Sequence, residues 1–236
     1  MIFIKRIYNN KTICFIISLL ICFGVLSINI LHSSLWYDET VEYYVSKSFG
    51  GFYSFFPGTY SMYDRIVSTF QPPLYNVLMH FWLILFDSEL GFRMAGVFTT
   101  LIGCIGVYAS FRNEDYHFAD IAMLVYSSVG CVARYAQECA EYNLMLTFII
   151  WTLFFGIRVV RNPQWNMVVA FCLTSVGAVY SQYGAAFVIL GMFIVLSCYL
   201  IMKRQFAGLF RLCIGGGGEC HTCRYSFVLL FPKSTN

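Results

Sequence analysis

Apolar and polar positions alternate along this chain in long blocks, with no short period. Residues 12–31 form a run of 20 without a charge, which matches the roughly 20 that a helix needs to span a bilayer core. Further apolar runs fall at 74–86, 94–111, 121–133 and 142–157. Residues 162–202 then give 41 positions without a charge. At about 1.5 Å per residue that is two membrane widths, and Gln182-Tyr183-Gly184 offers the break between them. The pattern predicts an all-α membrane protein, a polytopic helical bundle of about seven transmembrane segments.

The polar blocks place the loops. Residues 32–70 form the longest, rich in Tyr, Ser and Gly and carrying Asp38, Glu39, Glu42, Lys47, Asp64 and Arg65. Asp38 and Glu42 stand at i, i+4, so a short helix over 38–48 sets both on one face. Gly50-Gly51 and Pro57-Gly58 then break the chain. Gln71-Pro72-Pro73 opens the next apolar run, where proline suits a first turn whose N–H groups have no helical partner. We expect a helical first extracytoplasmic loop and no separate soluble domain. Residues 1–210 read as one membrane module, and 211–236 as an atypical tail.

Composition agrees. The chain is 59% hydrophobic and 19% aromatic, and its 11% charged residues compare with about 25% in a soluble domain. A net charge of +3 is too small to imply nucleic acid as a partner. Most of the 10 cysteines lie in apolar runs, where a free thiol is a small apolar group, so no disulfide framework follows. Lys5, Arg6 and Lys11 precede the first run, which is longer than a signal peptide's apolar region and lacks a small-residue cleavage site. It reads as an uncleaved anchor with a cytoplasmic N-terminus, which puts Asp38 and Glu39 on the opposite face. Arg158–Arg161 and 203–211 fit the inside, yet five crossings would put Arg158 outside. Either the short run 74–86 is re-entrant or the charge bias misleads.

Candidate chemistry sits at two places. Leu35-Trp36-Tyr37-Asp38-Glu39-Thr40 sets two adjacent carboxylates at the mouth of the first helix, with Trp36 and Tyr37 at aromatic-belt depth. Arg134, Tyr135, Gln137, Glu138, Glu141 and Tyr142 form the densest polar group between apolar runs. On one continuous helix Arg134, Glu138, Glu141 and Tyr142 would make a single polar stripe. That stripe is either a cavity wall for a charged or polyhydroxylated ligand or an interfacial turn in which Arg134 and Glu138 satisfy each other. Arg93 follows Glu89 at i+4, as a surface pair or a site residue. His80 reads as a helix-packing residue.

The order of these pieces resembles the GT-C-type membrane glycosyltransferases, in the branch similar to dolichyl-phosphate-mannose protein mannosyltransferases and bacterial aminoarabinose transferases. The matching motifs are Trp36-Tyr37-Asp38-Glu39, Gln71-Pro72-Pro73-Leu74-Tyr75, Ser88-Glu89-Leu90-Gly91-Phe92-Arg93 and Ala133-Arg134-Tyr135-Ala136. The resemblance implies transfer of a sugar from a polyprenyl-phosphate donor to a hydroxyl of a protein, lipid or glycan, on the extracytoplasmic face of a plasma or inner membrane. It implies Asp38 as the catalytic aspartate, acting as general base, with Glu39 beside it to orient the acceptor or a divalent metal. No cofactor is firmly implied, and metal use varies among relatives. Arg134, Tyr135, Glu138, Tyr142, Gln71 and Arg93 are then the expected substrate-binding residues, with Lys47 and Arg65 as further phosphate contacts. Where some relatives have Arg three residues after the acid, this chain has Val41.

The resemblance covers the N-terminal half of such enzymes, so a shortened form is expected. Gly215-Gly216-Gly217-Gly218 and the following Cys220-His221-Thr222-Cys223 suggest an out-of-frame tail, since half a zinc site falls short of four ligands. The rival class is a multi-pass transporter or flippase. Internal repeats would favour it, and the sequence has none.

Overall fold

The computed structural model describes residues 10–30, 34–47, 59–62, 65–68, 71–113, 115–162 and 164–203. The expected tail, and Arg65 beyond its backbone, lie outside the described residues.

Helix α1 (Lys11–Ser27) begins where Asn10 accepts hydrogen bonds from the N–H groups of Thr12 (3.1 Å) and Ile13 (3.2 Å). An N-terminal cap of this kind satisfies donors that the first turn leaves orphaned. Past its end Asn29 takes a left-handed conformation (φ 67°), which Asn tolerates better than most residues. Helix α2 (Tyr37–Lys47) follows within one residue of the predicted bounds. The loop also carries an antiparallel ribbon of β1 (Thr59–Met62) and β2 (Arg65–Ser68), with Thr59 opposite Ser68 and Met62 opposite Arg65.

Helix α3 (Leu74–Leu85) starts directly after Pro72-Pro73, as expected. Helix α4 (Glu89–Phe111) is capped by Ser88, which accepts from the Gly91 N–H at 3.0 Å. Helix α5 (Tyr116–Ser128) is capped by Asp115. The fourth apolar run is not one straight segment. It bends by 64° at Val129 into α6 (Gly130–Gln137). Ser127 and Ser128 both bond back to the Leu124 carbonyl, at 2.9 and 2.8 Å, which loosens the backbone ladder and favours a bend. Helices α7 (Tyr142–Arg161), α8 (Trp165–Ser181) and α9 (Ala185–Met202) complete the set, with the break between α8 and α9 at 182–184 as predicted.

All the expected apolar runs are therefore helical, and the body is a helical membrane bundle. Among the described residues, three helices are suited by length and composition to cross a membrane (α4, α7, α9), or up to four if the bent α5–α6 pair is one span. Helices α1, α3 and α8 are apolar but shorter, so these lengths support fewer than the seven crossings expected. At 12 residues α3 is only about 18 Å long.

Helix α4 is the hub, packed against α1, α3, α5, α6 and α7. One apolar core joins Cys22 and Leu26 of α1 to Val97, Leu101, Met123 and Val132. A second gathers Tyr75, Met79, Phe92, Ala95, Cys139 and Leu144 beneath α2. A third holds α7, α8 and α9 through Val159, Val168, Phe171 and Leu200. Close approach at the hub depends on Gly96. A Cβ there would lie 2.5 Å from the Ala136 carbonyl oxygen and 2.6 Å from Asn143 Nδ2.

Candidate functional site

Helix α2 is seated on the bundle by its buried acid. Glu39 is 3% exposed, and its carboxylate faces Arg93 of α4, itself 4% exposed. Arg93 Nη2 donates to Glu39 Oε2 at 3.0 Å and Nη1 to Oε1 at 3.3 Å. Two backbone donors complete the carboxylate: the Cys139 N–H at 3.0 Å and the Trp36 N–H at 3.2 Å. The Trp36 contact is half of a capping box, in which an acid near the third helical position reaches back to the residue preceding the helix. A buried charge is costly unless paired and fully hydrogen-bonded. Glu39 meets both conditions with donors from three separate segments.

Arg93 is equally well held. Its Nη1 donates to the Gln137 carbonyl at 2.7 Å, and Nε lies 3.5 Å from Glu89. The expected Glu89 pair thus exists, but the dominant partner of Arg93 is an acid 54 residues away. Gln137 in turn donates from Nε2 to the carbonyls of Leu26 (2.9 Å) and Ile28 (2.6 Å). The end of α1, the start of α2, the first turns of α4 and the end of α6 are thereby tied into one knot.

Beside that knot lies a cavity of about 270 Å³ lined by Ser34, Trp36, Glu39, Arg93, Arg134, Gln137 and Glu138. Its mixed cationic, acidic and aromatic walls can take an anionic, polyhydroxylated group. Four expected site residues meet here: Glu39, Arg93, Arg134 and Glu138. Asp38 is exposed on the turn between Trp36 and Glu39, both of which line the cavity, but it is not itself a wall residue.

The continuous polar stripe does not form. Helix α6 ends at Gln137, Glu138 is extended (φ −79°, ψ 134°), and a new helix begins at Tyr142. Arg134 instead pairs with Glu138 at 2.8 Å and stays 77% exposed, so the self-satisfied reading holds for that pair although both residues line the cavity. Glu141 is turned away and buried. The Tyr135 and Tyr142 rings contact each other, with centroids 5.2 Å apart, and neither reaches the cavity. Gln71 is half-buried at the start of α3 and lies outside the cavity wall. Lys47 is engaged elsewhere, in an exposed pair with Asp87 at 2.8 Å. The hydrogen bond from Lys47 to Asp87 raises the ammonium and lowers the carboxyl relative to their ordinary values. His80 packs with Nδ1 3.0 Å from the Ser46 carbonyl, as a helix-packing residue should.

A second, largely buried polar group joins α2 to α3. Ser46 Oγ donates to Asn76 Oδ1 at 2.9 Å, both side chains being buried. Burial, and then the nearby Glu141 charge, pushes the Glu42 carboxyl up from 4.5 to about 7. Burial likewise raises Glu141 and Cys139. The residues that sequence patterns missed are Cys139, which contributes only its backbone N–H, and Ser34. Neither has a side-chain signature for its role. Gln137 and Trp36 stood inside the motifs already singled out.

A family model described as dolichyl-phosphate-mannose-protein mannosyltransferase matches residues 70–213. No curated protein and no solved structure matches the chain. The match spans more than half of the sequence, so this chain belongs to that family, whose members are membrane glycosyltransferases.

Proposed function

We propose that this family member transfers a sugar from a polyprenyl-phosphate donor to a hydroxyl acceptor on the extracytoplasmic face, with Asp38 as general base. The observation that carries this is the Glu39–Arg93 pair. The family match begins at residue 70, beyond the acidic turn, yet Glu39 is bonded to Arg93 and Cys139 inside the matched stretch. The turn bearing Asp38 is therefore clamped to the family's own helices beside the cavity.

The chemistry needs few parts. The acceptor hydroxyl attacks the anomeric carbon, a new C–O bond forms, and the bond to the phosphate oxygen breaks with inversion. The proton goes to Asp38, and the electron pair leaves with the phosphate. The leaving group is already an anion, so a second carboxyl acting as acid is unnecessary. Donors are needed where charge grows on the phosphate. Arg134 is the candidate, since its exposed guanidinium can exchange Glu138 for phosphate, whereas Arg93 is committed to Glu39. Trp36 offers a sugar ring a flat apolar face.

The test is transfer of radiolabelled sugar from its lipid carrier by the full chain reconstituted in vesicles. A positioned carboxylate base contributes about 10²–10⁴ in rate, so Asp38→Asn should lose activity on that scale while binding donor as before. Transfer by Asp38→Asn at the unmodified rate sinks the assignment. Unchanged donor affinity in Arg134→Ala removes the phosphate contact.

A further inference from the structure

A second cluster of chemically capable side chains lies at the other end of α1, outside everything described so far. Cys14, in the first turn of α1, meets His117 and Asp120 of α5. One donor atom from each of the three side chains lies within 4.8 Å of the other two. Cys14 and Leu26 are twelve residues apart in one helix, which places the cluster about 18 Å from the Leu26 end of α1.

The three residues are held there by the fold. Helices α1 and α5 pack along their lengths. Asp115 caps α5 by accepting from the N–H groups of His117 (2.8 Å) and Phe118 (3.3 Å), which fixes the turn carrying the imidazole. His117 and Asp120 stand at i, i+3 on one helix face. Asp120 is the telling member. It is 6% exposed, and neither carboxylate oxygen has a hydrogen-bond partner among the described residues. The buried Ser18 hydroxyl of α1 lies beside it. A buried carboxylate whose oxygens meet only the Ser18 hydroxyl and the His117 ring nearby is costly enough to call for a reason, and a cation supplies one.

We propose that Cys14, His117 and Asp120 form a zinc site that staples α1 to α5 at the end of the bundle opposite the cavity. One sulfur, one nitrogen and one oxygen donor make a borderline set that suits Zn²⁺ and not Mg²⁺ or Ca²⁺. Tetrahedral zinc with bonds of about 2.0–2.3 Å needs donors roughly 3.3–3.8 Å apart. Binding therefore requires side-chain rotations that draw the donors, now within 4.8 Å of one another, to that spacing. The thiol yields its proton on binding, and the fourth position is open to water.

Cobalt titration of the purified full chain in detergent tests this. Co²⁺ takes zinc's place and reports a thiolate ligand through a near-ultraviolet charge-transfer band. The Cys220-x-x-Cys223 tail could bind the ion by itself, so a Cys220→Ser/Cys223→Ser variant is measured in parallel. The expected result is saturation at one ion per chain, with the band kept in the tail variant and lost in Cys14→Ser. Asp120→Asn, which keeps the shape and the thiol, should retain the band at an affinity at least tenfold weaker. Absence of the band, its survival in Cys14→Ser, its loss in the tail variant, or unchanged affinity in Asp120→Asn overturns the site.

Discussion

Two ion pairs border the same cavity, and they differ in almost every respect that matters. Arg134 and Glu138 are four residues apart, and the Arg134 side chain stands largely in the open. Arg93 and Glu39 are 54 residues apart and nearly sealed from solvent. The first is a local feature that any helix end can make. The second costs desolvation of two charges and is tolerable only because two backbone donors and the Gln137 carbonyl complete it. A flexible exposed cation can engage and release a ligand, whereas a buried one holds architecture. The cavity has one of each, which suggests a division between grip and frame.

The sharpest way to break that contrast is to remove Arg93. Arg93→Ala strands Glu39 as a buried charge, and breaking one side of such a pair costs about 3–5 kcal/mol. The thermal unfolding midpoint of the purified protein should fall steeply. Glu39→Ala should fall as well, and the double variant should recover part of the loss as a favourable coupling. Additive single and double losses would show that the two residues act separately and that the frame lies elsewhere.

This pair also marks where sequence patterns stop being informative. The helices were legible because apolar runs, Pro72-Pro73, Ser88 and Asp115 act locally. Residues 182–184 fell at the expected break for the same reason. Asp38-Glu39 drew attention through the order of motifs that follows it, and of the two only Glu39 lines the cavity. What pattern could not supply was direction. The stripe through Arg134, Glu138, Glu141 and Tyr142 assumed a helix that continues, but the backbone leaves helical geometry at Glu138. Arg93 was matched with Glu89 because i, i+4 is the only spacing that sequence offers, while its stronger partner depends on how α2 folds back. The straightness of the fourth run was misjudged in a similar way. The bend at Val129 is written in two serines bonding to one carbonyl, which hydropathy does not see. Cys14 likewise looked like a small apolar filler until α5 brought His117 and Asp120 to it.

Gly96 sharpens the frame side of the comparison. It lies one turn along α4 from Arg93, against the Ala136 carbonyl, and α6 ends one residue later at Gln137, which holds Arg93 by its own carbonyl. Gly96→Ala pushes backbone against backbone, and overpacking of this kind costs about 1–3 kcal/mol. The midpoint should drop by less than in Arg93→Ala. The larger sign of disturbance should be weaker donor binding, because the cavity wall moves with Gln137. A variant with full stability and full binding would mean that α4 and α6 can separate freely.

Glu42 gives a pH-dependent test of the second buried polar group. Its carboxyl is raised from 4.5 to about 7, mainly by burial, so the folded chain holds the proton more tightly than the unfolded one. Stability should therefore decline as pH rises from 4.5 to about 7 and stay lowered above it. Glu42→Gln removes that titration. Its unfolding midpoint should exceed that of the unsubstituted chain above pH 7 and converge with it below 4.5. Parallel midpoints across the whole range would place Glu42 in solvent and remove it from that buried group.

The smallest effect on stability should come from the other pair. Arg134→Ala removes a partner that stands mostly in water, where an ion pair is largely offset by hydration and side-chain entropy, so the unfolding midpoint should be unchanged. Donor affinity should still fall, with a marked salt dependence in the unsubstituted protein that the variant lacks, because an exposed cation is screened by added ions. Arg134→Lys separates charge from shape: a lysine restores attraction to phosphate but not the planar fork that binds two oxygens at once. Partial recovery of affinity is therefore expected. Should Arg134→Ala unfold as readily as Arg93→Ala, the division between a mobile grip and a buried frame would fail at its more exposed member.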